Sequence, residues 1–242
     1  MQEQCSRLCA IISLMPAASI RARVRAEMIE EIKAVARRHL ATEGANLSLR
    51  AVARDMGMVS SALYRYFASR DDLLTALILD SYNALGAAVE AADAGIKDRS
   101  WLRGRWLAAA QAVRDWALAN PAEYALIYGS PVPGYAAPQD TIPAAARSYV
   151  VLGNILTDGF ASGALTGRGD MVPEAIRADL ARASEGISPG LPDEVMLAGI
   201  TAWIHIFGTV SFELFGQFNN VVDARDDFFD AEMGRMADLI GL

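Results

Sequence analysis

Residues 48–74 read SLRAVARDMGMVSSALYRYFASRDDLL, and this stretch decides the fold. Leu49, Val52, Ala53 and Met56 fall on one face of a helix opened by Ser48, a good N-cap, with Leu47 and Val52 spaced as a hydrophobic staple. Gly57 closes that helix. A second one is expected from Met58 to Phe67, with Ala62, Leu63, Tyr66 and Phe67 burying one side. Ala53 lets the two helices approach, and Gly57 supplies the turn between them, which is what a helix-turn-helix needs.

Working outward, Val24, Met28, Ile32, Val35, Ala36 and Leu40 recur at helical spacing, predicting a first amphipathic helix over Arg21 to Glu43 that Gly44 and Asn46 end. On the other side Ser69 caps a long helix, Arg70 to Gly95, whose inner face carries Leu73, Leu74, Leu77, Ile78, Leu85 and Val89. Further helices are predicted at Arg99 to Asn120, Ala122 to Tyr128, Ile142 to Ser162, Pro173 to Ala183, Asp193 to Phe218 and Asp226 to Leu239. The segments GSPVPGYAAPQDT (129–141) and EGISPGLP (185–192) are rich in Pro and Gly and are expected to be loops. No strand pair and no internal repeat is found. With 53% hydrophobic and 21% charged residues among 242, the chain is expected to be all-α. The expected organisation is an N-terminal extension (1–19), a three-helix head (20–68) and a helical bundle (69–242).

The charge is unevenly divided. The first 70 residues hold 11 Lys and Arg against 6 Asp and Glu, whereas the rest hold 11 against 23. A basic head on an acidic body suits a chain whose first quarter meets phosphate while the remainder is repelled by it. Cys5 and Cys9 are the only cysteines, so the body has no disulfide or cysteine metal site, and a reducing cytoplasm is the expected setting. The opening MQEQCSRLCAIISLMPAAS lacks a basic leader, and its apolar run is too short to span a bilayer. It is read as an extension upstream of an alternative start at Met15.

The block also resembles the TetR family of one-component regulators. The residues that carry the resemblance are Ser48, Val52-Ala53, Gly57, Leu63-Tyr64-Arg65-Tyr66-Phe67, Arg70 and Asp72-Leu73-Leu74. Val59 stands where the family often has a capping Ser or Thr, and Arg70 where it usually has Lys. In the stretch LAGITAWIHIFGTVSFELFGQF (197–218), Trp203 and Gly208 match the C-terminal domain type named for a Trp-His-Gly signature, with Phe207 in the place of the His. The resemblance implies a homodimer that binds a palindromic double-stranded DNA operator, usually as a repressor, and is released by a small-molecule effector. A constitutive, architectural DNA binder without an effector is the alternative.

The chemistry of individual positions agrees with that reading. Ser48, Tyr64, Arg65, Tyr66 and Arg70 suit phosphate oxygens, which position a protein on DNA; base reading falls to Ser60, Ser61 and Arg50. Tyr66 packed inside and Arg65 simply solvated is the plain structural reading. Arg21, Arg23 and Arg25 reach the minor groove or backbone, or remain a solvated helix start. For the body, Trp106, Trp116, Tyr124, Tyr128, Phe160, Trp203 and Phe207 supply flat surfaces for a lipophilic effector between helices, each being equally at home in a core. Dimerisation is assigned to the Asp193–Phe218 helix, with Gly199, Gly208 and Gly216 for close approach and Phe212 and Phe215 as anchors. That helix is nearly uncharged, but Glu213, Gln217 and His205 interrupt it and its neighbours are amphipathic, so no membrane span is expected. Two histidines, His39 and His205, and no Gly-rich phosphate loop after a strand leave no catalytic constellation, no metal site and no cofactor. Arg168-Gly169-Asp170 and Asn46-Leu47-Ser48 are read as chance matches to short motifs.

Overall fold

The computed structural model describes residues 17–44, 47–166, 169 and 171–242. Cys5, Cys9 and Met15, as well as Asn46, Arg168 and Asp170, lie outside the described residues. Among those described there are ten α-helices, one 3₁₀ turn and no strand. The chain divides into two compact units between Leu77 and Ile78. The expected boundary lay before the long fourth helix, but the first turns of that helix bury Leu73, Leu74 and Leu77 and so belong with the head.

The first unit contains α1 (Ala17–Glu43), α2 (Leu49–Asp55), α3 (Ser60–Leu63) and the start of α4 (Arg70–Gly95). Ile32, Val35, Ala36 and Leu40 of α1 are buried at the spacing that makes one helix face, as are Val52 and Ala53 of α2, Leu63 and Phe67. The turn after α2 is a Schellman motif. Met58 N–H donates to the Ala53 carbonyl at 2.8 Å and Gly57 N–H to that of Arg54 at 3.0 Å, with Gly57 at φ +65°. Helix α3 is shorter than the periodicity predicts. Val59 is extended (φ −71°, ψ 140°) and has no side-chain acceptor to cap with, so helix starts only at Ser60. After Leu63 the coil tightens, with Tyr66 N–H donating to the Leu63 carbonyl three residues back at 2.9 Å. Ser69 caps α4 as expected, its Oγ accepting the Asp72 N–H at 3.1 Å.

The second unit continues α4 and adds α5 (Leu102–Ala119), α6 (Pro121–Tyr128), a 3₁₀ turn (Gln139–Thr141), α7 (Ile142–Ala161), α8 (Glu174–Ile187), α9 (Asp193–Leu214) and α10 (Arg225–Ile240). Helix α5 lies at the centre of the core. Trp106, Ala109, Ala110, Val113 and Ala117 pack with Val151, Leu152 and Ile155 of α7, Ala202, Ile206 and Val210 of α9, and Phe229 and Met233 of α10. Helix α9 is long and apolar enough to cross a membrane by composition, yet its Val195, Ala202, Ile206 and Val210 are spent on this core. It ends a turn earlier than expected because Gly216 adopts φ +82°. Conversely α8 runs on past Ala183 to Ile187.

Two buried arginines lock the bundle. Arg114 on α5 donates to both carboxylate oxygens of Glu213 at 2.8 and 2.9 Å and to Asp226 at 2.6 Å, and lies 5.3 Å from the Phe229 ring centre. Hydrogen bonding to Glu213 holds its guanidinium above the ordinary arginine range, against the effect of burial. Arg105, also on α5, donates to Asp93 of α4 at 2.7 Å and to Asp158 of α7 at 2.6 Å. Burial alone would raise the Asp93 carboxyl, but hydrogen bonds from Arg105 and Arg99 together hold it below its usual value.

Candidate nucleic-acid interface and an aromatic cavity

On the head, the end of the chain before α2, the end of α3 and the start of α4 surround one open hollow of about 560 Å³, lined by Leu47, Ser48, Leu49, Arg50, Tyr64, Ala68, Ser69 and Arg70. Ser48, Arg50, Tyr64 and Arg70, all read from the sequence as DNA contacts, thus share one surface. Ser48 occupies the N-cap position of α2 but makes no side-chain cap bond, contrary to its expected role there. Arg50 is exposed and Tyr64 is 45% exposed. Arg70 is partly structural, since its Nε donates to the Leu47 carbonyl at 3.1 Å and fixes the segment entering α2.

The other expected contacts are placed differently. Ser60 is half-buried and Ser61 exposed at the first turn of α3, and neither lines the hollow. Arg65 is exposed, and its carbonyl accepts Arg25 Nη2 at 3.0 Å. Tyr66 is half-buried, its ring 5.1 Å below the Arg25 guanidinium, a cation–π contact. Arg25 is therefore held by the turn that follows α3 and does not form a free basic arm with Arg21 and Arg23. A further contact went unread in the sequence: buried His39 of α1 hydrogen-bonds Asp55 of α2, Nε2 to Oδ2 at 2.8 Å. That bond holds the Asp55 carboxyl below its usual value. The partners are 16 residues apart and share no motif.

In the second unit an outer cavity of about 690 Å³ opens between α4, α6, the 129–137 loop, α7 and α8; Ile78, Tyr82, Ile127, Tyr135, Tyr149 and Arg182 are among its walls. An inner cavity of about 200 Å³ lies between α7, α8 and α9, lined by Leu152, Leu156, Met196, Ile200, Trp203 and Ser188 among others. Tyr149, Ala183 and Ile187 border both.

Of the seven aromatic residues expected to hold a ligand, Trp203 lines the inner cavity. Phe207, Tyr128 and Tyr124 stand behind it as a chain of rings. Trp203 and Phe207 are 6.0 Å apart between centres, Phe207 and Tyr128 4.5 Å, Tyr128 and Tyr124 5.1 Å. Tyr124 OH is bonded to the Phe207 carbonyl at 3.0 Å and to Ser211 Oγ at 2.9 Å, and burial raises its phenol to about 12. Burial also pushes the Tyr128 phenol well up. The rest lie elsewhere. Trp106 is in the core with its indole N–H on the Met233 carbonyl at 3.1 Å, Trp116 packs half-buried against that core, and Phe160 is 40% exposed. Tyr149, which the sequence reading passed over, is 4.8 Å from Trp203 between ring centres.

Gly199 also changes role: a Cβ on it would stand 2.5 Å from Leu156 Cδ1, so its smallness serves packing within the chain. On the opposite side of α9, Ile204, Phe212 and Phe215 are exposed, and nothing lies within 4 Å of the Cβ position of Gly208. His205 is hydrogen-bonded to Glu232 at 2.8 Å. No group of His, Cys, Asp or Glu side chains that could hold a metal ion occurs among the described residues.

Comparison with known proteins agrees with this architecture. The profile described as "Bacterial regulatory proteins, tetR family" matches residues 32–77, and "Tetracyclin repressor-like, C-terminal domain" matches residues 106–236. The HTH-type transcriptional regulator Rv1816 of Mycobacterium tuberculosis is 40% identical over 200 residues, covering 82% of this chain and 83% of that one. Among solved structures, the regulatory protein SCO4313 superposes with a TM-score of 0.73 at 34% identity, over 93% of this chain and 100% of its own. A tetR-family regulatory protein from Rhodococcus RHA1, 16% identical, shares the fold with a TM-score of 0.61 over 88% of this chain and 96% of its own. With both parts of the chain matched and a relative of 40% identity over most of its length, the protein belongs to the TetR family of DNA-binding transcriptional regulators.

Proposed function

We propose that this chain is a cytoplasmic, ligand-responsive repressor that binds a near-palindromic operator as a homodimer and is released from it by a small lipophilic effector. The observation that carries the reading is the hollow on the head, where Ser48, Arg50, Tyr64 and Arg70 converge within the basic part of the sequence. Ser48, Tyr64 and Arg70 in the hollow, and Arg65 and Tyr66 outside it, hold phosphates. Ser60, Ser61 and Arg50 face base edges, arginine favouring guanine. Two heads related by a two-fold axis place half-sites about 34 Å apart, one turn of the duplex.

The exposed stripe Ile204, Gly208, Phe212 and Phe215 supplies the dimer contact, apolar and free of charge at its centre. Ile78 and Tyr82 of α4 lie in the wall of the outer cavity, so an effector seated there acts on the helix that leads from the head. Occupancy then shifts the population away from the DNA-binding arrangement. No group in either unit is assigned a catalytic role.

The test is an electrophoretic shift on the DNA flanking the protein's own gene at moderate salt. A dimer-sized complex on a palindromic fragment, weakened by Tyr64→Ala, is expected. Equal binding to unrelated DNA, or a Tyr64→Ala variant with wild-type affinity and salt dependence, removes the operator assignment.

A further inference from the structure

The inner cavity has an unusual chemical balance. Its walls are aliphatic apart from Tyr149, Trp203 and Ser188, and no charged side chain lines it. Two buried polar atoms at this wall, Trp203 Nε1 and Ser188 Oγ, have no hydrogen-bond partner. An unpartnered buried indole N–H or hydroxyl loses its hydration without compensation, and most such groups in folded proteins are paired. The neighbouring chemistry does not consume them. Ser184 Oγ bonds the Ser188 carbonyl at 2.8 Å and leaves the Ser188 hydroxyl aside, and Trp203 meets Tyr149 edge-on with ring centres 4.8 Å apart.

Glycines let the walls pack closely. Gly153 and Gly199 both border the cavity. A Cβ on Gly153 would run into the Ser188 hydroxyl and Ile187, and one on Gly199 would meet Leu156. Both glycines thus serve the close packing of the helices that wall the cavity.

We propose that the inner cavity binds a neutral, compact apolar molecule carrying one hydrogen-bond acceptor, which takes the Trp203 indole N–H and the Ser188 hydroxyl. The volume sets the size. A cavity of roughly 150 Å³ takes one benzene ring, so about 200 Å³ admits on the order of eight to ten non-hydrogen atoms. The lining sets the charge, because an ionised group would enter without a counter-charge to replace its water. The single clear donor, the indole N–H, sets the acceptor. This inference rests on the effector reading of the bundle and gives it a chemical class.

The experiment compares two probes of the same shape on the full chain by isothermal titration. Acetophenone carries a carbonyl oxygen where α-methylstyrene carries a methylene, and benzoate serves as the charged control. Acetophenone is expected to bind about five- to tenfold more tightly than α-methylstyrene, with no heat from benzoate. In Trp203→Phe the preference should fall to within about twofold, and in Ser188→Ala it should shrink in part. Each variant's thermal unfolding confirms that the bundle is intact. Equal affinity of the two uncharged probes, no binding of either, or a preference that survives Trp203→Phe overturns the proposal. Operator release is read separately: if the preference holds and acetophenone leaves the DNA complex unchanged, the cavity assignment stands and the sensing role falls.

Discussion

The two units carry their chemistry in opposite ways. In the head, the residues proposed for DNA contact lie within 23 positions of one another, and four of them, Ser48, Arg50, Tyr64 and Arg70, line a shallow hollow. In the bundle, the cavities are lined by residues as far apart in the chain as Ile78 and Trp203. A surface made by a local motif can be altered at one residue with little effect on folding, whereas a cavity wall is also a core. Substitutions should therefore separate binding from stability in the head and confound them in the bundle.

The largest effect that tests this contrast is expected at Glu213→Ala. It leaves Arg114 buried beside a single exposed acid, Asp226, and should cost about 3–5 kcal/mol of unfolding free energy in urea titrations. A loss below about 1 kcal/mol would mean that the guanidinium finds water, and that the bundle tolerates charge better than its burial suggests. Next comes Arg50→Ala on the head. Operator affinity should fall by about 1–3 kcal/mol and the urea midpoint should stay in place, because the side chain is exposed. If stability falls with affinity, the head is no more separable than the bundle.

Smaller again is Gly57→Ala, which forces a Cβ into φ +65° although nothing crowds it there. About 1–2 kcal/mol should be lost, confined to amides of α2 and α3 in hydrogen exchange. The smallest effect concerns acid. Asp55 in the head and Asp93 in the bundle both have carboxyls held below the ordinary value, so each stabilises its unit above the unfolded value of about 3.8 and loses that contribution as pH falls through the folded one. Asp93→Asn should flatten the acid limb of stability more than Asp55→Asn, since Asp93 answers a buried arginine and Asp55 is bonded to a histidine from an exposed position. The reverse order, seen by unfolding at pH 3 and pH 6, would reverse the contrast.

Much of the fold was legible because helix signals are local. Ser69, Arg70 and Gly95 mark the bounds of α4 at the residues where it starts and ends. Periodicity alone places the start of α3 at Met58, whereas Val59, with no side chain to cap with, delays it to Ser60. The hollow on the head was half-legible: residue type and spacing found Ser48, Arg50, Tyr64 and Arg70, but not that Arg70 also holds the Leu47 carbonyl. The bundle was less so. Choosing aromatics by type brought in Trp106 and Phe160, one deep in the core and one at the surface, and missed Tyr149 and Ser188. Arg114 and Glu213 are 99 residues apart, and nothing in the sequence pairs them.

Tyr149 borders both cavities, and this has an evolutionary consequence. A change there alters two compartments at once, so few substitutions at this position can improve one recognition task without spoiling another. Met196 and Ile200 border the inner space alone, and Leu126 and Tyr135 the outer one. Positions such as these four let a lineage, or a directed-evolution library, diversify each compartment independently, whereas Tyr149, Ala183 and Ile187 are shared between them.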